Sequence, residues 1–452
     1  MAEAALIPEK RWWRVILVAF IMYTIAFIDR TNISLALPSI SHDLGMDPRQ
    51  AGSAAGVFFW GYLVLQIPGG YLARRWSAKG FVAILLVVWG ACSAGTGLVT
   101  SGRQFWVMRL LLGVAEGGVW PAVLVLLTNW FPRSERARAN AFWMLCLPVA
   151  VVVSSPLSGW ILGHWNWRVL LVAEGLFPFV WLIVWLARIH DHPRKAPWIS
   201  PEECAYLETT LAREAAEIEE AEAAEALARG PVAETPLWQA LLGPQVLLMC
   251  LVYILLTSGN YGYLFWLPTA MEKAKHLSHL LVGILFAVPY VVTGVGMVLI
   301  SKHSDRHRER RRHVAAALAW SGLTLGAGVL ASPYSATLSF ALIALVGAGS
   351  YGALGPFWAI PTETLPRRVS GSVMGLVNAI GNLGGYFGPL VVGYVSKHTG
   401  SLFYAFGILS ISLLAAGLLA LFLPEGRERL SAAGYRPPEG LAPSEAPGLD
   451  SH

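Results

Sequence analysis

The stretch Ala26-Phe27-Ile28-Asp29-Arg30-Thr31-Asn32 lies about two thirds of the way along an apolar run from Trp12 to Leu37, long enough to cross a bilayer as a helix. An Arg or Asp at the centre of such a helix costs about 2.5–3.5 kcal/mol to insert, so these residues face a bundle interior or a wet cavity rather than lipid. A chain that buries this pair must surround it with further helices. The remaining sequence has the composition to do so: of 452 residues, 55% are hydrophobic and only 13% charged, too apolar for a soluble protein of this size.

A window of about 20 residues predicts twelve membrane helices. The first six run from Trp12 to Leu37, Gln50 to Ala73, Gly80 to Thr100, Gln104 to Trp130, Asn140 to Leu162 and Arg168 to Arg188. The second six run from Leu242 to Thr269, Leu280 to Lys302, Val314 to Ala331, Leu338 to Pro361, Ser370 to Ser396 and Leu402 to Leu423. The expected fold class is an all-α membrane protein of two six-helix bundles, residues 1–188 and 239–424. Residues 189–238 form a polar linker whose Ala- and Glu-rich run, Glu214 to Glu225, favours a solvated helix outside the bilayer. Residues 425–452, rich in Pro, Glu and Gly, read as a disordered tail. The first apolar run exceeds a signal-peptide core and lacks a small-residue cleavage site, so it is expected to be retained.

The net charge of +5 raises the question of a nucleic-acid partner, and its distribution answers it. About 25 of the 33 Lys and Arg fall at the N-terminus, in the tail or in the loops after even-numbered helices, against about six on the other side. The charge is therefore topological: both termini are expected in the cytoplasm, the lipid bilayer is the partner, and nucleic acid is not. The four cysteines, Cys92, Cys146, Cys204 and Cys250, give no disulfide or metal spacing. The histidines cluster in loops and do not form a metal set, and no cofactor is expected.

Two six-helix halves around a long loop have the organisation of a protein that rocks about a central site. The segment Gly69-Gly70-Tyr71-Leu72-Ala73-Arg74-Arg75-Trp76 resembles the loop signature of the major facilitator superfamily. Lys302-His303-Ser304-Asp305-Arg306 with Arg310-Arg311 resembles its second-half counterpart. The first copy departs from the pattern, with Arg74 where the family usually has Asp and Ser77 where it has Gly.

A narrower resemblance, to the anion:cation symporter family, covers nearly all twelve helices. It rests on Phe27 to Asn32, Phe59-Trp60-Gly61-Tyr62, Gln66-Ile67-Pro68-Gly69-Gly70, Arg109 with Gly113-Val114-Ala115-Glu116-Gly117, and Trp130-Phe131-Pro132. Gly355 to Thr362 and Asn378 to Gly385 are most similar to the branch of tartrate, phthalate and 4-hydroxyphenylacetate permeases. Members carrying sugar acids often have Tyr two residues before the acid of the first helix, where this chain has Phe27. The resemblance implies a bacterial-type inner-membrane transporter, and a monomer is expected.

The residues themselves allow a mechanism to be drafted. Arg30 carries a planar, permanently charged fork suited to gripping a carboxylate, and its alternative use is a structural ion pair with a buried acid. Arg109 and Glu116, two helical turns apart, share one face of the fourth helix. Neighbours on a helix point about 100° apart, so Asp29 is expected to face Arg109 while Arg30 reaches toward Glu116. Glu116 alternatively sits alone as a neutral buried acid. Tyr62 and Trp358 line the cavity or pack; Asn378 and Asn382, one turn apart on the eleventh helix, bind substrate or join helices. Asn260, Tyr261 and Tyr263 on the seventh helix are second-half gate candidates. Glu174 reads as a structural partner.

The expectation is import of a small organic carboxylate with protons. Arg30, Tyr62, Trp358, Asn378 and Asn382 would bind substrate, and Asp29, Arg109 and Glu116 would couple it. Sugar-acid symport, anion exchange and a carboxylate sensor are the alternatives. No nucleophile with a base, phosphate loop or metal set supports an enzyme.

Overall fold

The computed structural model describes residues 9–229, 239, 241–275, 277–365 and 367–425, and every regular element among them is a helix. The crossings of the first half are α1 (Trp12–Asp43), α2 (Pro48–Gln66 continued as Pro68–Arg75), α3 (Ala78–Thr96), α4 (Gly102–Trp130), α5 (Arg133–His164) and α6 (Trp167–Arg188). Those of the second are α7 (Pro244–Glu272), α8 (His279–His307), α9 (Arg311–Ala331), α10 (Ala336–Thr364), α11 (Arg367–Asn382 with Gly384–Thr399) and α12 (Leu402–Ala420).

Ten of these helices are long and apolar enough to span a membrane, eleven with the two parts of α2 taken together. Asn378, Asn382, Ser396 and Lys397 make α11 more polar than the rest. Pro68 explains the 43° bend in α2, because its ring removes a backbone donor and clashes with the preceding turn.

Short polar residues fix where the helices begin. The side chains of Ser77, Ser101, Asn166, Ser278 and Ser335 each accept a bond from the backbone N–H three residues on, satisfying donors that a helix start leaves free. Asp47 and Gln50 form a full capping box at the start of α2. The α5 helix starts at Arg133, earlier than its apolar pattern predicts, because Arg133 to Arg138 continue it as a polar turn.

Two faces result. One, the basic face, carries Arg11, Arg133, Arg136 and Arg310 to Arg312 with their acids. There the linker supplies a helix, Pro201–Arg229, that docks on the first half rather than floating free. Buried Glu203 accepts from Arg11 Nη1 at 2.8 Å, Arg11 Nη2 also pairs with Glu135 at 2.8 Å, and Glu214 accepts from the Arg133 N–H. Asp191, just past α6, caps the start of α3 after the Arg74-Arg75 turn, accepting from Ser77 Oγ at 2.6 Å and the Lys79 N–H at 2.8 Å. Residues 426–452, where the sequence predicts a disordered tail, lie outside the described residues.

The halves meet toward the opposite face, where α2 packs on α11, α5 on α8 and α1 on α7. Backbone approaches are close: a Cβ added to Gly56 would come within 2.8 Å of Tyr386 Cα, and one on Gly159 within 2.5 Å of the His279 carbonyl. Small residues let membrane helices approach this closely. At the outermost turn, Lys397 Nζ reaches Asp47 Oδ2 at 2.9 Å.

Candidate functional site

Arg30 lies buried beside the seam between the halves. Its Nη2 donates to Glu116 Oε2 at 3.1 Å, an ion pair in which both side chains are almost fully enclosed. The guanidinium lies 4.7 Å from the Tyr62 ring centre, 4.9 Å from Phe58 and 5.6 Å from Phe27, so cation–π contacts hold its plane. Arg30 Nε and Glu116 Oε1 have no hydrogen-bond partner among the described residues. Buried polar atoms are rarely left so without a water, an ion or a ligand to meet them. One fork of the arginine is therefore anchored while other polar capacity remains uncommitted.

Asp29 points elsewhere, as the angle between helix neighbours requires, but not toward the partner expected from the sequence. Its carboxylate accepts from Trp89 Nε1 at 2.5 Å and Ser93 Oγ at 2.7 Å, both on α3. Arg109 instead donates to the Asp29 backbone carbonyl at 3.4 Å and lies over the Phe58 ring at 5.2 Å. Its Nε and Nη2 are without partners among the described residues. A small cavity lined by Asp29, Asn32, Ser93, Thr96 and Arg109 adjoins them. Glu174 has the structural partnership expected of it, accepting from Asn32 at 2.7 Å and Ser158 at 2.8 Å.

The second half presents an aromatic wall. Tyr261 of α7 packs on Phe59 across the seam with ring centres 4.4 Å apart, and Tyr253, Tyr261 and Tyr351 all lie close enough to interact with the charge of Arg30. Trp358 is one layer back, edge-on to Tyr253 at 5.1 Å beside Phe357. Asn378 donates to Gln66 Oε1 of the first half at 2.8 Å, and Asn382 donates back to the Asn378 side chain at 2.9 Å. The asparagine pair thus forms a polar bridge between the halves. Tyr263 turns away to the Ile343 carbonyl, and Asn260 is buried.

Sequence reasoning did not assign functions to Trp89, Ser93, Gln66 or Tyr253. Ser93 and Gln66 carried a signal, being neutral polar residues in apolar helices; Trp89 and Tyr253 carried none among so many aromatic residues. The histidine reading needs correction as well. His303, His307 and His313 give no metal-ligand spacing in sequence, yet the turn between α8 and α9 brings their ligand nitrogens within 4.8 Å of one another at the basic face.

A family model described as Major Facilitator Superfamily matches residues 19–389. A "Putative tartrate transporter" of Agrobacterium vitis is 31% identical over 95% of this chain and 94% of its own length. A "Probable galactarate/D-glucarate transporter GudP" of Bacillus subtilis is 28% identical over 91% of each chain. Among solved structures, the inward open conformation of the xylose transporter XylE from E. coli superposes with a TM-score of 0.71. That match covers 91% of this chain and 96% of the other at 16% identity, a likeness of fold. With its described residues folded as two helix bundles and a paired arginine beside their seam, the protein is a multi-pass membrane transporter and not an enzyme. The chain belongs to the Major Facilitator Superfamily, among its anion:cation-type permeases.

Proposed function

We propose that this transporter imports a small organic carboxylate together with protons, by alternating access, as a monomer in a bacterial inner membrane. The single observation that carries this reading is the Arg30–Glu116 pair: a buried cation with an internal carboxylate already on one fork. An incoming carboxylate competes with Glu116 for the same donors. Protonation of Glu116 releases them, and the substrate's own charge then neutralises Arg30. Loss of substrate and proton on the other side restores the internal pair. Asp29, held by Trp89 and Ser93, and Arg109, held to the carbonyl beside it, transmit the change along α1 and α4.

The distribution of Lys and Arg supports a cytoplasmic basic face with both termini on that side. The bundles of residues 1–188 and 239–424 then rock about the site, and the Asp47–Lys397 contact closes its outer side. The tartrate name of one relative supports a short dicarboxylate. The galactarate/D-glucarate name of another keeps sugar-acid symport as the second reading. Purified protein in liposomes is the test: an inward proton gradient should drive accumulation of unaltered tartrate above its external concentration. Counterflow without any response to the gradient would instead establish exchange.

A further inference from the structure

The turn between α8 and α9 gathers three imidazoles for which transport has no use. His303 and His307 are one helical turn apart at the end of α8. Arg308, in the left-handed region at φ 49°, then turns the chain so that His313 on α9 returns beside them. His303 Nδ1 and His313 Nε2 are 2.7 Å apart, and the ring centres of His303 and His307 are 4.1 Å apart.

Two rings have their other nitrogen already engaged. His313 Nδ1 lies 2.7 Å from Glu309 Oε2, and His307 Nδ1 lies 2.9 Å from the His303 carbonyl. Glu309 is itself oriented by the N–H groups of Arg312 at 2.7 Å and His313 at 3.2 Å. A carboxylate or carbonyl on one imidazole nitrogen fixes the tautomer and aims the other nitrogen's lone pair, the outer-shell pattern of metal-bound histidine. Of the arginines in the turn, which would repel a dication, Arg310 is paired with Asp305 at 2.5 Å and Glu363 at 2.9 Å, and Arg311 with Glu425 at 2.6 Å, while Arg306, Arg308 and Arg312 flank His307 and His313 in sequence.

We propose that His303 Nδ1, His307 Nε2 and His313 Nε2 bind one first-row transition-metal dication, zinc in the first instance. Three neutral imidazoles with an open fourth position for water suit it. The proton shared between His303 Nδ1 and His313 Nε2 moves to His303 Nε2 on binding, so none is lost. The metal ties the end of α8 to the start of α9 and thereby stiffens the second half at its basic face.

The test is a zinc titration of the full chain in detergent, with any affinity tag removed, by calorimetry and thermal melting. One equivalent should bind and raise the melting temperature, because a ligand held only by the folded state stabilises it. His307→Ala and His313→Ala should each weaken binding at least tenfold, Glu309→Gln by less, and His190→Ala with His192→Ala not at all. Cobalt should give visible absorption bands in the wild type that the triple histidine variant lacks. His307 is exposed, so its variant keeps the test valid if His313→Ala melts early without metal. No binding by the wild type, or equal binding by the triple variant, would overturn the proposal.

Discussion

Arg30 Nη2 donates to Glu116 Oε2 across 3.1 Å, while Arg30 Nε has no acceptor among the described residues. Arg30→Lys keeps the charge but loses the planar fork and its seat against Tyr62 and Phe58. It should fold normally and bind substrate about tenfold more weakly or worse, a difference of about 1.4 kcal/mol. Equilibrium binding of radiolabelled tartrate checks this, and near-normal affinity would remove Arg30 as the anchor.

Glu116→Gln mimics a protonated acid that cannot cycle. Counterflow should survive while accumulation driven by a proton gradient falls by roughly an order of magnitude, the behaviour of a group placed in a proton relay. Asp29→Asn should act in the same direction but less, since Trp89 can still donate to the amide oxygen while the amide N–H donates to the Ser93 hydroxyl. Full gradient-driven uptake by both variants would exclude coupling through these residues.

Much of this site was legible because charge inside lipid is rare. Arg30, Arg109 and Glu116 stand out in apolar helices, and helical spacing alone separates the direction of Asp29 from that of Arg30. What stayed hidden depends on rotation about helix axes and on long-range contact. Asp29 turns to an indole on α3 that looks like any of the 19 tryptophans, and Gln66 meets Asn378 only through the packing of two halves. Likewise, Asp191 reaches Ser77 and the Lys79 N–H from a loop more than a hundred residues away, and the histidine cluster forms only because Arg308 turns the chain.

The Asp47–Lys397 contact should act as a latch between the halves on the face opposite the basic one. Lys397→Ala should increase the population open on that face, read as longer distances between spin labels at exposed Leu98 and Tyr334 in a cysteine-replaced background. The Gln50 N–H and then Lys397 hold the Asp47 carboxyl below its ordinary value of 3.8. A lowered value means the latch is intact above the ordinary range and lost only as pH falls through the lowered one. Label distances in the wild type should therefore not respond to Asp47 between about pH 5 and 8, where transport is assayed, and a latch opening in that window would refute its assignment.

Arg11 ties three segments at the basic face, and its contact with Glu203 is buried on both sides. Removing one partner of a buried pair leaves an uncompensated charge at a cost of about 3–5 kcal/mol. Arg11→Ala should lower the melting temperature clearly and expose the linker helix to proteolysis, with Glu203→Gln milder because the amide oxygen still accepts. Unchanged melting and cleavage in Arg11→Ala would show that the linker is held by other contacts.

Substrate size follows from what surrounds the anchor. Phe27, Phe58 and Tyr62 enclose Arg30, Tyr253 stacks on Phe357 at 5.3 Å, and the neutral polar groups of the seam are largely spent on the Gln66–Asn378–Asn382 bridge. A hydroxyl buried there without a partner costs about 1–3 kcal/mol, which a long polyol incurs several times and a compact or aromatic body avoids. Water in the open site offsets part of that cost, so the contrast should be largest for substrates enclosed during the rocking step. A short dicarboxylate or an aromatic carboxylate should therefore compete for uptake about tenfold better than a six-carbon sugar acid, a gap of about 1.4 kcal/mol. Phe27→Tyr should narrow the gap by adding one hydroxyl beside Arg30. Competition assays in which galactarate or glucarate inhibits more strongly than tartrate and benzoate would overturn this preference and put sugar-acid symport first.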